Sequence, residues 1–452
     1  MKLMKDIFRV ASSNIINFGS SFLVGFVLPL YLSVSEYGYY KEYTLYLSFV
    51  YLFNLGYNDG ITIKYGGKNS ESINKRIFRN EHTFIMLFQL VILTIMLLVS
   101  LYLRNAQFVM VSVVSFFICM TTFHQNFLQA TGDFKFYANT NIIKTVVNVI
   151  TIILGILFFD SHSYVTFVVM NILTNIVVFI FVEYRYYKHY GFGFELGLGE
   201  NIANFKVGIF VLIANMSLTF VGNVGSWIVN LGFSIEDFAV YSFSNSLLNI
   251  ILLIVNSVGL IFFNIIAKKE DPTKLKFTKR LLLLLGVMGG EIFFAFKLII
   301  EIFLPQYTGS LSILSITFIS VPYIMISKIL IANLYKARKN ERKYFRDMLL
   351  LAISSVIIVG ITYILTSNML MIAFSTHVVY VLWYLYSTGK EFVYLKTTKK
   401  ESCLLISHLV LFYIMGNELP ILYGAIGYLF YIVMIIFFFR KDFFSVLSYM
   451  KS

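Results

Sequence analysis

The fold of this chain is decided by the stretch FKVGIFVLIANMSLTFVGNVGSWIVNLGFSIEDFAVYSFSNSLL, residues 205–248. It is apolar enough to enter a membrane, yet asparagine, serine and threonine side chains recur along its hydrophobic run. An unpaired amide in hydrocarbon costs several kcal/mol, so these groups are expected to face other helices or water. The stretch therefore predicts transmembrane helices with a polar interior face.

The same stretch resembles the start of the chain. Shifted back by 201 positions, Asn215 falls on Asn14 and segment 237–241 falls on segment 36–40. A second similarity, at an offset of 207, relates FLQATGDFKFY (127–137) to LYKARKNERKY. Two matches at nearly the same offset predict two similar halves in parallel orientation. Transporters built from such repeats hold their substrate between the halves.

The composition predicts a multi-spanning membrane protein. Of 452 residues, 58% are hydrophobic and only 13% are charged, and the mean hydropathy is +0.80, which excludes an ordinary soluble domain. Since about 20 apolar residues cross a bilayer as a helix, we predict fourteen spans, from 12–32 and 42–58 to a short thirteenth at 402–416 and a last span. The predicted fold is all-α, with two parallel six-helix bundles plus two C-terminal helices.

The predicted organisation has three segments: a six-helix half at 1–204, a second half at 205–390, and two further helices with a cytoplasmic tail at 391–452. The basic residues support this topology. With the N-terminus inside, 31 of the 36 lysines and arginines fall in cytoplasmic segments, and only Lys41 and Arg104 fall outside. This is the positive-inside pattern, so both termini are predicted to be cytoplasmic. The net charge of +13 then reflects topology and attraction to anionic lipids, and predicts no nucleic-acid partner.

Charged and amide side chains inside the spans are the candidate site residues. A buried charge costs about 2.5–3.5 kcal/mol at a helix centre on insertion scales, so it needs a partner or a wet cavity. Glu291 is the candidate for a coupling ion or a buried pair. The candidates for a basic, amide-lined substrate cavity are Arg9, Asn14, Asn17, Lys144, Asn215, Asn223, Asn245, Asn249 and Lys328. The alternatives are that the lysines snorkel to the headgroups and that the amides bond between helices.

The sequence holds no enzyme motif: no HExxH, no Cys/His cluster and no phosphate-binding glycine loop. We therefore predict no catalytic residues, no cofactor and no metal site. A basic cavity favours an anionic ligand, and amides favour sugars.

Three segments carry a resemblance: LPLYLSVSEYGYYKEY (28–43), FLQATGDFKFYANTNIIKTVVN (127–148) and LGFSIEDFAVYSFSNSLLN (231–249). They resemble the polysaccharide flippases of the multidrug/oligosaccharidyl-lipid/polysaccharide (MOP) exporter superfamily, and O-antigen flippases are the most similar type. Many relatives carry an Asp, often Asp-Arg, shortly before the Leu-Gly that is Leu231-Gly232 here. This chain has Ser226-Trp227 there, so no role is carried over to those two residues.

The resemblance implies a bundle that alternates between inward and outward states. Its substrate would be an undecaprenyl-pyrophosphate-linked oligosaccharide, moved across the bacterial inner membrane for O-antigen, and hence lipopolysaccharide, or another surface polysaccharide. Basic cavity residues would hold the pyrophosphate, and Na⁺ or H⁺ would be the coupling ion. Membrane lipids, a polysaccharide polymerase and a chain-length regulator are the implied partners.

Three alternatives stay open. A lipid II or teichoic-acid flippase of the same superfamily would have the same architecture. A cation–drug antiporter would favour several buried carboxylates. A membrane glycosyltransferase, such as an O-antigen polymerase or ligase, would need a large outward loop with charged catalytic residues, and the predicted outward loops are short.

Overall fold

A computed structural model describes residues 19, 21–159, 162–195, 197, 199–268, 271–337 and 341–440, without the side chains of 200, 253–268, 336, 337, 341 and 342. Every regular element in these ranges is helical, so the all-α prediction is confirmed. Ten of the described helices are long and apolar enough to cross a membrane. The chain is therefore a multi-pass membrane protein. Most of the predicted first span, 12–32, lies outside the described residues.

The chain divides into two compact units. The amino-terminal unit comprises residues 1–220 and 341–349, and the carboxy-terminal unit comprises 221–340 and 350–452. The division into 1–204, 205–390 and 391–452 stays a prediction. Among the described residues, the α-helices that begin before residue 221 are α1 (Leu28–Tyr31), α2 (Val34–Leu47), α3 (Tyr57–Tyr65), α4 (Lys75–Tyr102), α5 (Ala106–Ala130), α6 (Phe134–Phe158), α7 (Tyr164–Tyr190) and α8 (Gly199–Gly232).

The remaining α-helices are α9 (Ile235–Lys268), α10 (Pro272–Met288), α11 (Glu291–Phe303), α12 (Ser310–Met325), α13 (Ala332–Ala337), α14 (Glu341–Thr366), α15 (Met369–Tyr386), α16 (Lys399–Tyr413) and α17 (Ile421–Phe438). Short π-helical segments interrupt or extend them at Leu23–Val27, Ile326–Ile331, Ser387–Glu391 and Ile414–Glu418. Single 3₁₀ turns lie at Val50–Asn54, Ser70–Ser72, Pro305–Tyr307 and Val393–Leu395.

Two helices start with the same kind of cap at the offset of 201 positions read from the sequence. Ser33 caps α2 by accepting from the backbone N–H of Glu36 at 3.2 Å. Ser234, 201 positions later, caps α9 by accepting from the N–H of Asp237 at 3.1 Å. In both cases the hydroxyl satisfies a free N–H and the acidic residue lies in the positively polarised first turn. The offset read from the sequence therefore relates equivalent helix starts.

The predicted second span, 42–58, is wrong as a continuous helix. The chain leaves α2 at Leu47, forms the 3₁₀ turn Val50–Asn54, and reverses through left-handed Leu55 and Gly56 before α3 begins. Glycine adopts the φ of +87° found at Gly56 without a steric penalty. Hydropathy does not register such a break, because the residues on both sides are apolar.

The break lets α3 approach the first part of α8 with backbone against backbone. A Cβ placed on Gly208 would lie 1.9 Å from the carbonyl oxygen of Gly56. A Cβ placed on Gly60 would lie 2.2 Å from the carbonyl oxygen of Asn204. Membrane helices use small residues in this way because close packing, rather than hydrophobic burial, holds them together in lipid.

In the carboxy-terminal unit, α12 is the central helix and packs against α9, α10 and α15. Its contact with α10 is also tight, since a Cβ on Gly286 would lie 2.5 Å from Cα of Pro322. In the middle of α10, Lys279 is 1% exposed and donates to the carboxylate of Glu401 at 2.7 Å and to the carbonyl of Leu395 at 2.8 Å. Glu401 also completes a capping box with Thr398 at the start of α16. Lys279, which the topology prediction places in a cytoplasmic segment, thus joins α10 to α16.

Gly208→Ala is expected to destabilise the protein by about 1–3 kcal/mol, the usual cost of overpacking, because the new methyl group meets a backbone oxygen that cannot rotate away. The measurement is the melting temperature of the detergent-purified protein, determined by fluorescence-detected size-exclusion chromatography. Gly360→Ala is the matched control: its Cβ meets nothing within 4 Å, and alanine is the better helix former. Equal melting temperatures for Gly208→Ala and the parent would contradict the backbone contact.

Lys279→Met is expected to cost about 3–5 kcal/mol, because it leaves Glu401 buried without its cation. The double change Lys279→Met with Glu401→Gln should recover part of this loss, since no uncompensated charge stays buried. Lys276→Met, three residues earlier on an exposed position, is the control and should change stability little. Melting temperatures measure all three; a double variant no more stable than Lys279→Met would refute the ion-pair account.

Candidate functional site

The amino-terminal unit carries a row of polar side chains around the predicted site residue Lys144. Lys144 lies in α6, and its side chain is exposed. It forms no hydrogen bond or ion pair with any residue that the structure describes. One turn earlier, the amide oxygen of Asn141 accepts from Gln125 on α5 at 3.0 Å. A free ammonium group thus lies next to amides, within a helix long enough to span the membrane.

A carboxylate that the sequence did not single out continues this row. Tyr51 donates to Asp59 at 3.0 Å and accepts from Asn126 at 3.0 Å. Asn126 directly follows Gln125, so both amides come from the same turn of α5. Asp59 is buried. Asn58, Asp59 and Gly60 form the first turn of α3, where Gly60 packs against the backbone of Asn204 on α8.

The end of the unit near the basic segment 64–79 is held by buried acids. Glu81 is fully buried and accepts from Lys64 at 2.6 Å and from Tyr65 at 2.6 Å. Asn204 on α8 adds a third donor at 3.4 Å. These donors leave the Glu81 carboxylate saturated, so its role is to join α3, α4 and α8 rather than to bind a ligand.

A second buried acid at this end is Glu183 on α7. Nε2 of His82 lies 3.0 Å from both of its oxygens, and Nε2 of His124 lies 2.9 Å from one of them. We call His82, His124 and Glu183 the histidine–glutamate cluster. It is the only group of three or more metal-ligating side chains with converging donor atoms among the residues that the structure describes.

A cavity of about 400 Å³ opens next to this cluster. His124, Lys75, Arg185, His189 and Asp133 are among its lining residues. Arg185 pairs with Asp133, and its guanidinium group stacks on the ring of Phe136 at 3.7 Å. We call this space the α5–α7 cavity.

In the carboxy-terminal unit, polar groups from α8, α9 and α15 meet at Gly225. The amide of Asn245 donates to the hydroxyl of Ser226 at 3.0 Å. A Cβ on Gly225 would lie 2.1 Å from the hydroxyl oxygen of Tyr241 and 2.6 Å from that of Thr376. Because glycine has no side chain, two hydroxyl groups fit between the helices at Gly225. Sugar hydroxyls are recognised by side chains of this kind.

Lys328, the second predicted cation, lies in the π-helical segment Ile326–Ile331 that follows α12. Its side chain is half-buried, and it bonds to no residue that the structure describes. Short π-helical turns inside α-helices are frequent at functional sites. Pro322 lies within α12 shortly before this segment and removes one helical N–H donor.

Glu291 begins α11, directly after Gly289-Gly290. One of its carboxylate oxygens is buried and has no hydrogen-bond partner among the described residues. The backbone at Gly290 is covered by Tyr428, whose hydroxyl group donates to the carbonyl of Val287 at 2.7 Å. An acid with a spare buried oxygen is suited to a proton or a sodium ion.

The other predicted cavity residues are divided between the two units. Asn215 and Lys144 belong to the amino-terminal unit, and the other described candidates belong to the carboxy-terminal unit. Asn215, Asn223 and Asn245 are half-buried, and Asn249 is exposed. Arg9, Asn14 and Asn17 lie outside the described residues. The cavity assignments therefore stay predictions, and the pairing of Asn245 with Ser226 favours the interhelical alternative for that amide.

A known protein family matches part of the sequence of this chain. Residues 3–263, more than half of the chain, match the family described as polysaccharide biosynthesis protein. No curated protein matches the sequence.

Solved structures share the fold. The lipid II flippase MurJ in an inward closed conformation is 16% identical and has a TM-score of 0.71, with 97% of this chain and 99% of that chain covered. An inward-facing multidrug resistance MATE family transporter of the MOP superfamily is 12% identical and has a TM-score of 0.57, with 87% and 95% covered. A MATE structure in complex with MaD5 is 13% identical, with a TM-score of 0.55 and 87% and 97% covered.

Identities this low establish the fold alone, whereas the family match covers most of the first two hundred and sixty residues. The chain thus belongs to the polysaccharide biosynthesis protein family and has the MOP-superfamily fold found in MurJ and the MATE transporters, as its sequence resemblance implied.

Proposed function

We propose that the chain is a flippase for undecaprenyl-pyrophosphate-linked oligosaccharide units. The observation that carries this proposal is the pair of cations Lys144 and Lys328, one in each unit, neither bonded to a described residue. An unpaired charge inside a span costs about 2.5–3.5 kcal/mol, so it persists where water or an anionic ligand meets it. A pyrophosphate headgroup crossing about 30 Å of hydrocarbon needs that contact.

Polar groups in both units support a glycan as the attached cargo. Asn141 and Gln125 lie near Lys144, and the hydroxyl groups of Tyr241 and Thr376 meet at Gly225. Amides and hydroxyls both donate and accept hydrogen bonds, as sugar hydroxyls do. Transport by alternating access requires no covalent chemistry, so we expect no enzymatic activity.

The wider assignment follows from the family. We place the protein in the bacterial inner membrane with both termini in the cytoplasm, where it supplies repeat units for O-antigen or another surface polysaccharide. A polysaccharide polymerase and a chain-length regulator are the expected partners. Lipid II flipping is the second candidate, favoured by the coverage of nearly the whole chain by the MurJ fold. Both substrates carry a pyrophosphate-linked sugar, so the role given to the lysines is shared.

Lys144→Ala and Lys328→Ala are each expected to slow transport of the lipid-linked oligosaccharide. A charge-assisted hydrogen bond contributes about 1.5–3 kcal/mol, which corresponds to roughly a 10- to 150-fold loss. The measurement is the appearance of fluorescently labelled substrate on the far side of proteoliposomes. Lys→Arg at each position should retain most activity, and Lys276→Ala, exposed on α10, serves as the matched control. Parent-like rates in both alanine variants and in the double variant would contradict the cationic site.

Glu291→Gln is expected to abolish the stimulation of transport by an imposed Na⁺ or H⁺ gradient, because the amide cannot bind a proton and binds Na⁺ less strongly than a carboxylate does. Basal exchange without a gradient should persist. Glu301→Gln, exposed near the other end of α11, is the control. Unchanged gradient stimulation in Glu291→Gln would exclude this residue as the coupling site.

A further inference from the structure

The histidine–glutamate cluster has features that the transport proposal does not use. Its three side chains come from three helices: His82 from α4, His124 from α5 and Glu183 from α7. All three are buried, with exposed fractions of 3%, 5% and 7%. Their ligand atoms all lie within 4.8 Å of one another. Three buried donors thus point at one position.

The helix packing explains why they converge. His82 lies two turns after the start of α4, while His124 and Glu183 lie about two turns before the ends of α5 and α7. Because α5 packs against both α4 and α7, these positions fall at one end of the unit. Tyr186, one turn after Glu183, stacks on the imidazole of His82 with ring centroids 3.9 Å apart. The ring orientation of His82 is therefore fixed by packing.

The neighbouring acid Glu81 shows what is different about Glu183. Glu81 is paired with Lys64, which carries a permanent positive charge and has no lone pair to offer a metal ion. Glu183 faces two imidazoles instead, and a neutral imidazole nitrogen is the commonest metal ligand in proteins. Glu81 and Glu183 lie at the same end of the unit, but Glu81 is paired with a lysine and Glu183 with two histidines.

We propose that His82, His124 and Glu183 bind a divalent transition-metal ion of the zinc type, which joins α4, α5 and α7. Two histidines and one carboxylate with a fourth position open form an established ligand set for Zn²⁺. Zinc–ligand bonds of about 2.0–2.2 Å in a tetrahedral arrangement place the ligand atoms roughly 3.4 Å apart. Each imidazole Nε2 lies 2.9–3.0 Å from a carboxylate oxygen of Glu183, so metal binding requires the carboxylate to move away from the imidazoles by a few tenths of an ångström.

The α5–α7 cavity provides an entry path. It extends from exposed Glu71 and Lys75 to buried His124. Its lining carries both acidic and basic side chains, Glu71 and Lys75 near the exposed end and the paired Asp133 and Arg185. Of the three proposed ligands, His124 lines the cavity, so an entering ion meets this imidazole first.

The test is zinc binding by the full-length protein in detergent, purified through a tag without histidines and stripped with a chelator. We expect one Zn²⁺ per chain by elemental analysis, with an affinity measured by competition against a zinc-binding dye. His124→Gln and Glu183→Gln should each weaken this affinity at least about 100-fold, since even outer-shell changes cost 10- to 100-fold. Zn²⁺ should also raise the melting temperature of the parent and leave that of Glu183→Gln unchanged.

The glutamine variants separate a metal site from a hydrogen-bonded cluster. The amide of His124→Gln can still donate to Glu183, so the packing is retained while a strong zinc ligand is lost. His189→Gln is the matched control, because His189 lines the same cavity outside the cluster; its affinity should equal that of the parent. If the parent binds no Zn²⁺ above background, or if His124→Gln and Glu183→Gln bind it as the parent does, the proposal is wrong. None of these readouts depends on transport.

Discussion

Polar groups in hydrocarbon must be satisfied by protein or by water, and this requirement shapes every part of the molecule that the structure describes. Glu81 is fully buried because a lysine, a tyrosine and an asparagine donate to it. Lys279 is buried because a carboxylate and two backbone carbonyls accept from it. Since these ion pairs are complete, they fix helices rather than bind ligands. Charged groups that lack a full set of partners are therefore the ones that point to a ligand site.

The transport proposal depends on three groups of this incomplete kind, Lys144, Lys328 and Glu291. Each lies in a helix or π-helical segment within a candidate span, and the two lysines bond to no described residue. Lys328 lies in a π-helical segment, and Glu291 directly follows two glycines at the start of α11. Two of these three charges therefore lie next to local irregularities of the helix backbone, whereas Lys144 lies within the regular helix α6. The chain's membership of the polysaccharide biosynthesis protein family is the reason for proposing a glycan-linked anion as the cargo.

Sequence reasoning predicted the features that depend on local chemistry. The all-α class and the apolar helices follow from patterns within a few residues, and the caps at Ser33 and Ser234 lie at the offset of 201 found by comparing two segments of the sequence. It missed features that arise from contacts distant in sequence. His82, His124 and Glu183 are separated by about forty and sixty residues, and no spacing rule joins them. The backbone contact between Gly56 and Gly208 likewise joins positions far apart in the sequence, which hydropathy cannot register.

The most direct test of the central claim is the sidedness of lipid-linked oligosaccharide in cells that lack this protein. The account predicts that complete units accumulate on the cytoplasmic face and that none reaches the outer acceptor. Restoring the parent gene should return them to the outer face. If single units still reach the outside and cap the acceptor while only long chains are missing, the protein is a polymerase and the flippase account is wrong.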